Sequence, residues 1–343
     1  IAQHKLEFAD EFDFIGYPVD LPRVLISISD TNVLKSIYAF GDVDLTPGAK
    51  IPVKTMQRLA SLGSRYGYMC HLMRPFVRTL YSAYSGIPQH GHVIMDEGVR
   101  NVITTFRNLF VVLGFRGQTF SKSLDSFDRP VATWVCEFDA SLSGIGIIWF
   151  SRAPDGTETA RAWAQVDIKS LEFGEDASYQ NTAEYVGSLL CARGLTMLGA
   201  AGEPILLRGD SMSALTWADK GATRSAHATK AAAMWAQYNV QHGIHVVDVI
   251  HVAHDFNTRT DILSRQGSWT EVLKEDAKRY GGLLPKQVPQ LDLECGVLLA
   301  LINPKIPISS TADFNEFFSR SMSFLDEEMG SSSPTGRAPE PPC

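Results

Sequence analysis

Long apolar runs are missing from this chain. The nearest candidate, residues 297–302, falls far short of the roughly 18 residues a membrane-spanning helix needs, which argues against a membrane role. The opening residues do not read as a secretory leader either. The first residues, IAQHKLEFADEF, carry charges where a signal peptide has its apolar core, and no initiator Met precedes them, so the chain reads as a piece of a longer polypeptide. Cysteine is sparse. Cys70, Cys136, Cys191, Cys295 and Cys343 lie too far apart for a zinc-site or disulfide-framework spacing, which points to a reducing, intracellular compartment, cytoplasmic or nuclear. Net positive charge is lacking as well, and a formal charge of -7 argues against wholesale affinity for nucleic acid. One local absence works the other way. Residues 45–95 contain no Asp or Glu but carry Lys50, Lys54, Arg58, Arg65, Arg74 and Arg78, a basic surface on an acidic chain.

What is present exceeds one ordinary domain: 343 residues, with ample apolar content, predict two or three compact units. Residues 13–19 and 24–28 read as strands around a turn at 20–23. From Pro52 onward the spacing becomes helical, with Val53, Met56, Leu59 and Leu62, then Tyr66, Met69, Leu72, Val77 and Leu80, giving two helices with a basic rim. A third helix covers 96–113, and the polar stretch RGQTFSKSLDSFDRP reads as a linker.

The most informative stretch is 133–150, TWVCEFDASLSGIGIIWF. It alternates as a strand up to Asp139 and then turns through Ser141, Ser143, Gly144 and Gly146, read as turn or bulge residues. A turn at APDGTE and a strand over 160–168 complete an antiparallel meander. Glu184 follows on a helix striped with Ala183, Val186, Leu189, Leu190, Leu195 and Leu198. Asp210 stands at the end of a strand beginning at Pro204, just before a helix capped by Ser211. A helix over 226–242, a strand over 244–252 and a short helix bearing Asp261 come next. A mixed sheet with flanking helices, an α/β fold, can gather these four acids at one edge. Such an oxygen-rich set suits Mg2+, with Mn2+ as a substitute, and two ions about 4 Å apart can drive phosphodiester hydrolysis. Singly, each acid has a plainer reading: turn-former for Asp139, solvated helix face for Glu184, helix cap for Asp210, loop polarity for Asp261.

Four words carry a resemblance: FDASLSGIG, NTAEYVGSL, RGDSMSALTW and HVAHDFNTRTDILSR. In this order, over about residues 133–265, they resemble the ribonuclease H domain of reverse-transcribing elements. The resemblance implies a five-stranded mixed sheet, two Mg2+ ions on Asp139, Glu184, Asp210 and Asp261, and a catalytic-loop histidine at His251. It implies hydrolysis of the RNA strand of an RNA/DNA hybrid to 3'-hydroxyl and 5'-phosphate ends, with no small-molecule cofactor. Upstream, FDFIGYPVD is similar to the hairpin closing a reverse transcriptase palm, and IPVKTMQRLASLGSRYGYMCHLMRPFVRTLYSAYSG to the thumb of DIRS-like, tyrosine-recombinase retrotransposons. No YxDD-like pair is present, so this piece is not expected to polymerise.

The implied organisation is a palm end over 1–50, a thumb-like helical region over 51–115, a linker over 116–130, a ribonuclease H-like domain over 131–268, an extension over 269–328 and a disordered tail over 329–343. Lys54, Arg58, Arg65, Arg74 and Arg78 would contact nucleic-acid phosphates. The partners are the hybrid and other parts of the same polyprotein. A rival reading is a catalytically inactive hybrid-binding or assembly module of a degenerate element. Another is a related nuclease or transposase using fewer of the same acids. The geometry of the carboxylates discriminates among them.

Overall fold

A computed structural model describes residues 11–14, 16–115, 121–124, 130–169, 177–221 and 228–293. The apolar run at 297–302 and the tail at 329–343 fall outside this set.

The first part opens with β1 (Glu11–Phe14), β2 (Tyr17–Asp20) and β3 (Leu25–Ser27), paired antiparallel in that order. The strand expected over 13–19 is therefore broken near Gly16, whose φ of +82° lies in the region glycine favours. Next come α1 (Asp30–Gly41), β4 (Lys50–Pro52), α2 (Val53–Met69), a 3-10 turn (His71–Met73), α3 (Arg74–Tyr84), β5 (His92–Ile94) and α4 (Glu97–Phe115). Part of the stretch read as a linker forms β6 (Ser121–Ser123), which pairs with β3 as a fourth strand. Helix α1 escapes the sequence reading for a physical reason. Its inward face is Val33, Ser36, Ala39 and Phe40, while Leu34, Ile37 and Tyr38 point to solvent, so no clean apolar stripe marks it. Phe40, Tyr66, Phe106 and Phe110 then form the aromatic centre of the helical unit, with ring centroids 4.7 to 6.2 Å apart.

The second part comprises β7 (Trp134–Ala140), β8 (Gly144–Arg152), β9 (Glu158–Asp167), α5 (Ala177–Met197), β10 (Pro204–Gly209), α6 (Met212–Lys220), α7 (Thr229–His242), β11 (His245–His251), a 3-10 turn (His254–Phe256), α8 (Thr258–Ser264) and α9 (Trp269–Tyr280). Its sheet runs β11-β10-β7-β8-β9. The meander β7-β8-β9 is antiparallel, whereas β7-β10 and β10-β11 are parallel. Parallel neighbours need helical crossovers, which α5 supplies before β10 and α6 with α7 before β11. This is the expected α/β, ribonuclease H-like mixed five-stranded sheet with flanking helices.

Alternation along β7 sorts its residues. Cys136 and Phe138 face α5 in a core that continues without a break into the helical unit, while Val135 packs with Ile148, Phe150, Leu263 and Val272 on the opposite face. On that second face α8 lies flat on β8. Gly144 and Gly146 turn out to sit inside β8 rather than in a turn, and the reason is contact distance. A Cβ on Gly146 would stand 2.5 Å from Leu263 Cβ and from the Thr260 carbonyl, and 2.6 Å from Ser264 N. The chain beyond α9 returns to the outer edge of β9: Trp163 N donates to Pro289 O, and Leu291 N donates to Trp163 O. Trp163 also stacks on Trp269 with centroids 5.5 Å apart.

Candidate active site

Three elements bring three acids to one place. β7 carries Asp139 next to its end, opposite Gly146 of β8. α5 is buried from Thr182 to Leu195, and Glu184 lies within that run at 5% exposure. β10 stops at Gly209, leaving Asp210 at the strand's end, where Ser211 Oγ accepts from Ala214 N and starts α6. One carboxylate oxygen from each of Asp139, Glu184 and Asp210 lies within 4.8 Å of the others.

Burial and mutual repulsion dominate the electrostatics. Removal from water pushes the Asp139 carboxyl up to about 7; a hydrogen bond from Ser264 opposes this, while the charges of Asp210 and Asp261 add to it. Burial first, and then Asp139 and Asp210, raise Glu184 well above the usual carboxylate range. Glu184 Oε1 receives a long bond from Gln180 Nε2 at 3.4 Å, but its buried Oε2 has no hydrogen-bond partner. A buried acceptor without a donor is costly, and three crowded carboxylates more so. A divalent cation with a preference for oxygen ligands fits this set, because it answers both the orphaned oxygen and the uncompensated charge.

Asp139 is held from the α8 side. Asn257 Nδ2 donates to Oδ1 at 3.2 Å and Ser264 Oγ donates to Oδ2 at 2.7 Å. Asn257 and Ser264 were not read as site residues. Their positions within NTRTDILSR gave the only available hint, since the contact spans more than a hundred residues. Asp261 stands outside the three-carboxylate group. Arg265, one turn later at the C-cap of α8, donates from Nε to Asp261 Oδ1 at 2.8 Å, and Asp261 reaches the group through its charge on Asp139.

The two histidines divide. His251 Nε2 is 3.0 Å from the main-chain oxygen of Asp210, whereas His254 Nδ1 is 2.9 Å from Asp210 Oδ2. His254, exposed to solvent, is raised above the ordinary histidine value chiefly by that carboxylate. The motif singled out His251, yet His254 is the histidine that meets a carboxylate.

A second charged layer lies two residues upstream of three of the acids: Glu137 before Asp139, Arg208 before Asp210 and Arg259 before Asp261. Arg208 bonds Glu158 at 2.9 and 3.1 Å and Glu137 at 3.4 Å, and Arg259 NH2 bonds Asp276 at 2.5 Å. Burial raises the Glu137 carboxyl, and Arg259 and Arg208 pull it back down.

The five basic residues fall into two rows. Lys54, Arg58 and Arg65 follow one another at i, i+4 and i+11 on α2, within about 40° of one line at 100° per residue, and Arg74 and Arg78 are one turn apart on α3. Lys54, Arg58, Arg74 and Arg78 are exposed. Arg65 is half-buried, with its guanidinium 6.0 Å from the Tyr17 ring centre, and Arg74 Nε donates to Gly67 O at 3.1 Å.

Among the described residues no helix is long and apolar enough to cross a membrane. No family model and no curated protein matches the chain. Among solved structures it is similar to an RNase H1 from the halophilic archaeon Halobacterium salinarum NRC-1, at 18% identity over 41% of this chain and 96% of that one, with a TM-score of 0.28. It is similar also to a foamy viral protease-reverse transcriptase in complex with an RNA/DNA hybrid, at 14% identity over 71% of this chain and 30% of that one, with a TM-score of 0.25. A yeast mitochondrial Holliday junction resolvase matches at 12% identity over 65% of this chain and 96% of its own, with a TM-score of 0.20. At such low TM-scores none of the three adds weight to the site geometry.

Proposed function

We propose that the chain is a retroelement reverse-transcriptase fragment, of DIRS-like type, whose ribonuclease H-like unit hydrolyses the RNA strand of RNA/DNA hybrids. The observation that carries this reading is the buried convergence of Asp139, Glu184 and Asp210, with Glu184 Oε2 left without a donor. These three residues would hold two Mg2+ ions, or Mn2+ in their place, with Asp261 joining from the rim once freed from Arg265. Bound there, such ions supply Lewis acidity for phosphodiester hydrolysis.

The rest of the work belongs to the chain. Asn257 and Ser264 fix the rotamer of Asp139, and Gln180 ties Glu184 to the end of β7 through the Ala140 carbonyl at 2.5 Å. His251 steadies the main chain of Asp210. We assign proton handling to His254, whose exposed ring connects Asp210 to solvent. The rows on α2 and α3 would neutralise backbone phosphates, a contact that carries no sequence information.

The decisive assay uses a hybrid labelled on its RNA strand. Mg2+ should yield fragments with 3'-hydroxyl and 5'-phosphate ends, and EDTA should stop their formation. The engagement of Asp261 by Arg265 favours one alternative, a hybrid-binding module that has lost catalysis. Tight hybrid binding with no Mg2+-dependent product would select that alternative. For the basic rows, the triple variant Lys54→Ala, Arg58→Ala, Arg65→Ala should weaken hybrid binding. If all three touch phosphates, it should flatten the slope of log K against log salt by roughly 3. An unchanged slope would remove α2 from the interface.

A further inference from the structure

Helix α9 lies beyond the segment that carries the four acids, and its contacts lead back to the site. Its start is set by a capping box, in which Ser268 Oγ accepts from Glu271 N and Glu271 Oε2 accepts from Ser268 N, so the register of the helix is fixed. Its last turn then faces the 3-10 turn at His254–Phe256. Tyr280 OH donates to the Phe256 carbonyl at 2.8 Å, and Arg279 NH1 donates to the Asp255 carbonyl at 2.5 Å. The Tyr280 ring also lies under the Arg259 guanidinium at 4.2 Å, while Arg259 bonds Asp276. The remaining oxygen of Asp276 accepts from Leu284 N at 2.9 Å and closes the turn that follows α9.

The segment gripped in this way is the one that reaches the carboxylates. His254 meets Asp210 Oδ2, and Asn257 meets both Asp139 Oδ1 and the Phe138 carbonyl. Residues 254–257 thus have acids on one side and α9 on the other. A displacement of about 1 Å there would break both contacts to the acids, since hydrogen bonds lengthened to about 4 Å no longer form.

We propose that α9 is a positioning element of the site, with the Tyr280 hydroxyl as its principal grip on the turn that carries His254 and Asn257. The role in cleavage rests on the function proposed above; the grip itself does not. Tyr280→Phe removes one hydroxyl, leaves the ring beside Arg259, and should leave the thermal midpoint close to that of the parent. Hydrogen exchange of the amides at 254–258 should speed up about fivefold, the equilibrium worth of one ordinary hydrogen bond. In a protein that cleaves hybrid, kcat should fall, by up to about fivefold, with KM unchanged, because His254 and Asn257 are held less firmly against the acids while the substrate-binding surface is untouched. Unchanged exchange at 254–258 would overturn the proposal, and so would faster exchange with an unchanged kcat in an active parent. If the parent cleaves nothing, the function proposed above fails separately, and exchange alone decides whether α9 holds the turn.

Discussion

Asp139→Asn should abolish Mg2+-dependent cleavage of a hybrid while leaving hybrid affinity and the folded state intact. The loss of activity follows from the removal of one of three converging anionic oxygens. The intact fold follows from magnitudes. A carboxyl lifted from the ordinary 3.8 to about 7 costs the folded state on the order of 4 kcal/mol above pH 7. An amide avoids that cost. It can turn its oxygen to the Asn257 donor and its NH2 to Ser264 Oγ, which then accepts while donating to the Asp261 carbonyl. Any weakening of those bonds costs about 1 kcal/mol, less than the relief.

The same balance gives a pH signature in EDTA. Between about pH 4 and 7 the folded parent keeps a proton on Asp139 that the unfolded chain has released. Stability therefore falls as pH rises through this window, and the full penalty is present above it. The variant should show a shallower fall, with Glu184 supplying what remains, and its thermal midpoint at pH 8 should match or exceed that of the parent. At pH 8, Mg2+ at about a hundred times its dissociation constant should stabilise the parent by about 2.7 kcal/mol and the variant by much less. Cleavage by Asp139→Asn equal to that of the parent would refute the site.

Gly146→Ala should be worse for the fold than any change to the acids. The added methyl would lie 2.5 to 2.6 Å from two backbone atoms of α8 and from Leu263 Cβ, groups that yield only if the whole helix lifts off β8. The expected cost is about 3 kcal/mol or more, at the upper end for overpacking a core. The loss should not stop at stability. Lifting α8 carries Ser264 away from Asp139 Oδ2, so the folded fraction should also bind Mg2+ more weakly. Denaturant unfolding checks the first effect and calorimetric Mg2+ titration of the folded variant checks the second. A normal midpoint with normal Mg2+ binding would show that α8 need not lie so close.

What could be read from the sequence was what depends on neighbours along the chain. The meander, the helix around Glu184, the Ser211 cap and the short helix of Asp261 each announce themselves within a dozen residues. Helix α1 hides because its apolar residues face both ways. The closeness that Gly146 permits, the clamp of Asn257 and Ser264 on Asp139, and the pairing of Arg208 with Glu158 are properties of packed surfaces, and no local pattern encodes them. Which histidine approaches the Asp210 carboxylate is hidden for a similar reason. His251 and His254 both sit at plausible distances in sequence, and only the course of the turn after β11 brings the His254 ring to Asp210 Oδ2 and the His251 ring to its main-chain oxygen.

The return of residues 289–291 to the rim of β9 has a practical side. Where a sheet ends in unsatisfied amides and carbonyls, other molecules can add on, and here the polypeptide covers part of that rim itself with a short parallel bridge at Trp163. Anyone trimming a gene for expression should therefore keep everything up to at least residue 293. A stop at 268 would discard the cover along with α9 and leave a sticky border on the five-stranded sheet.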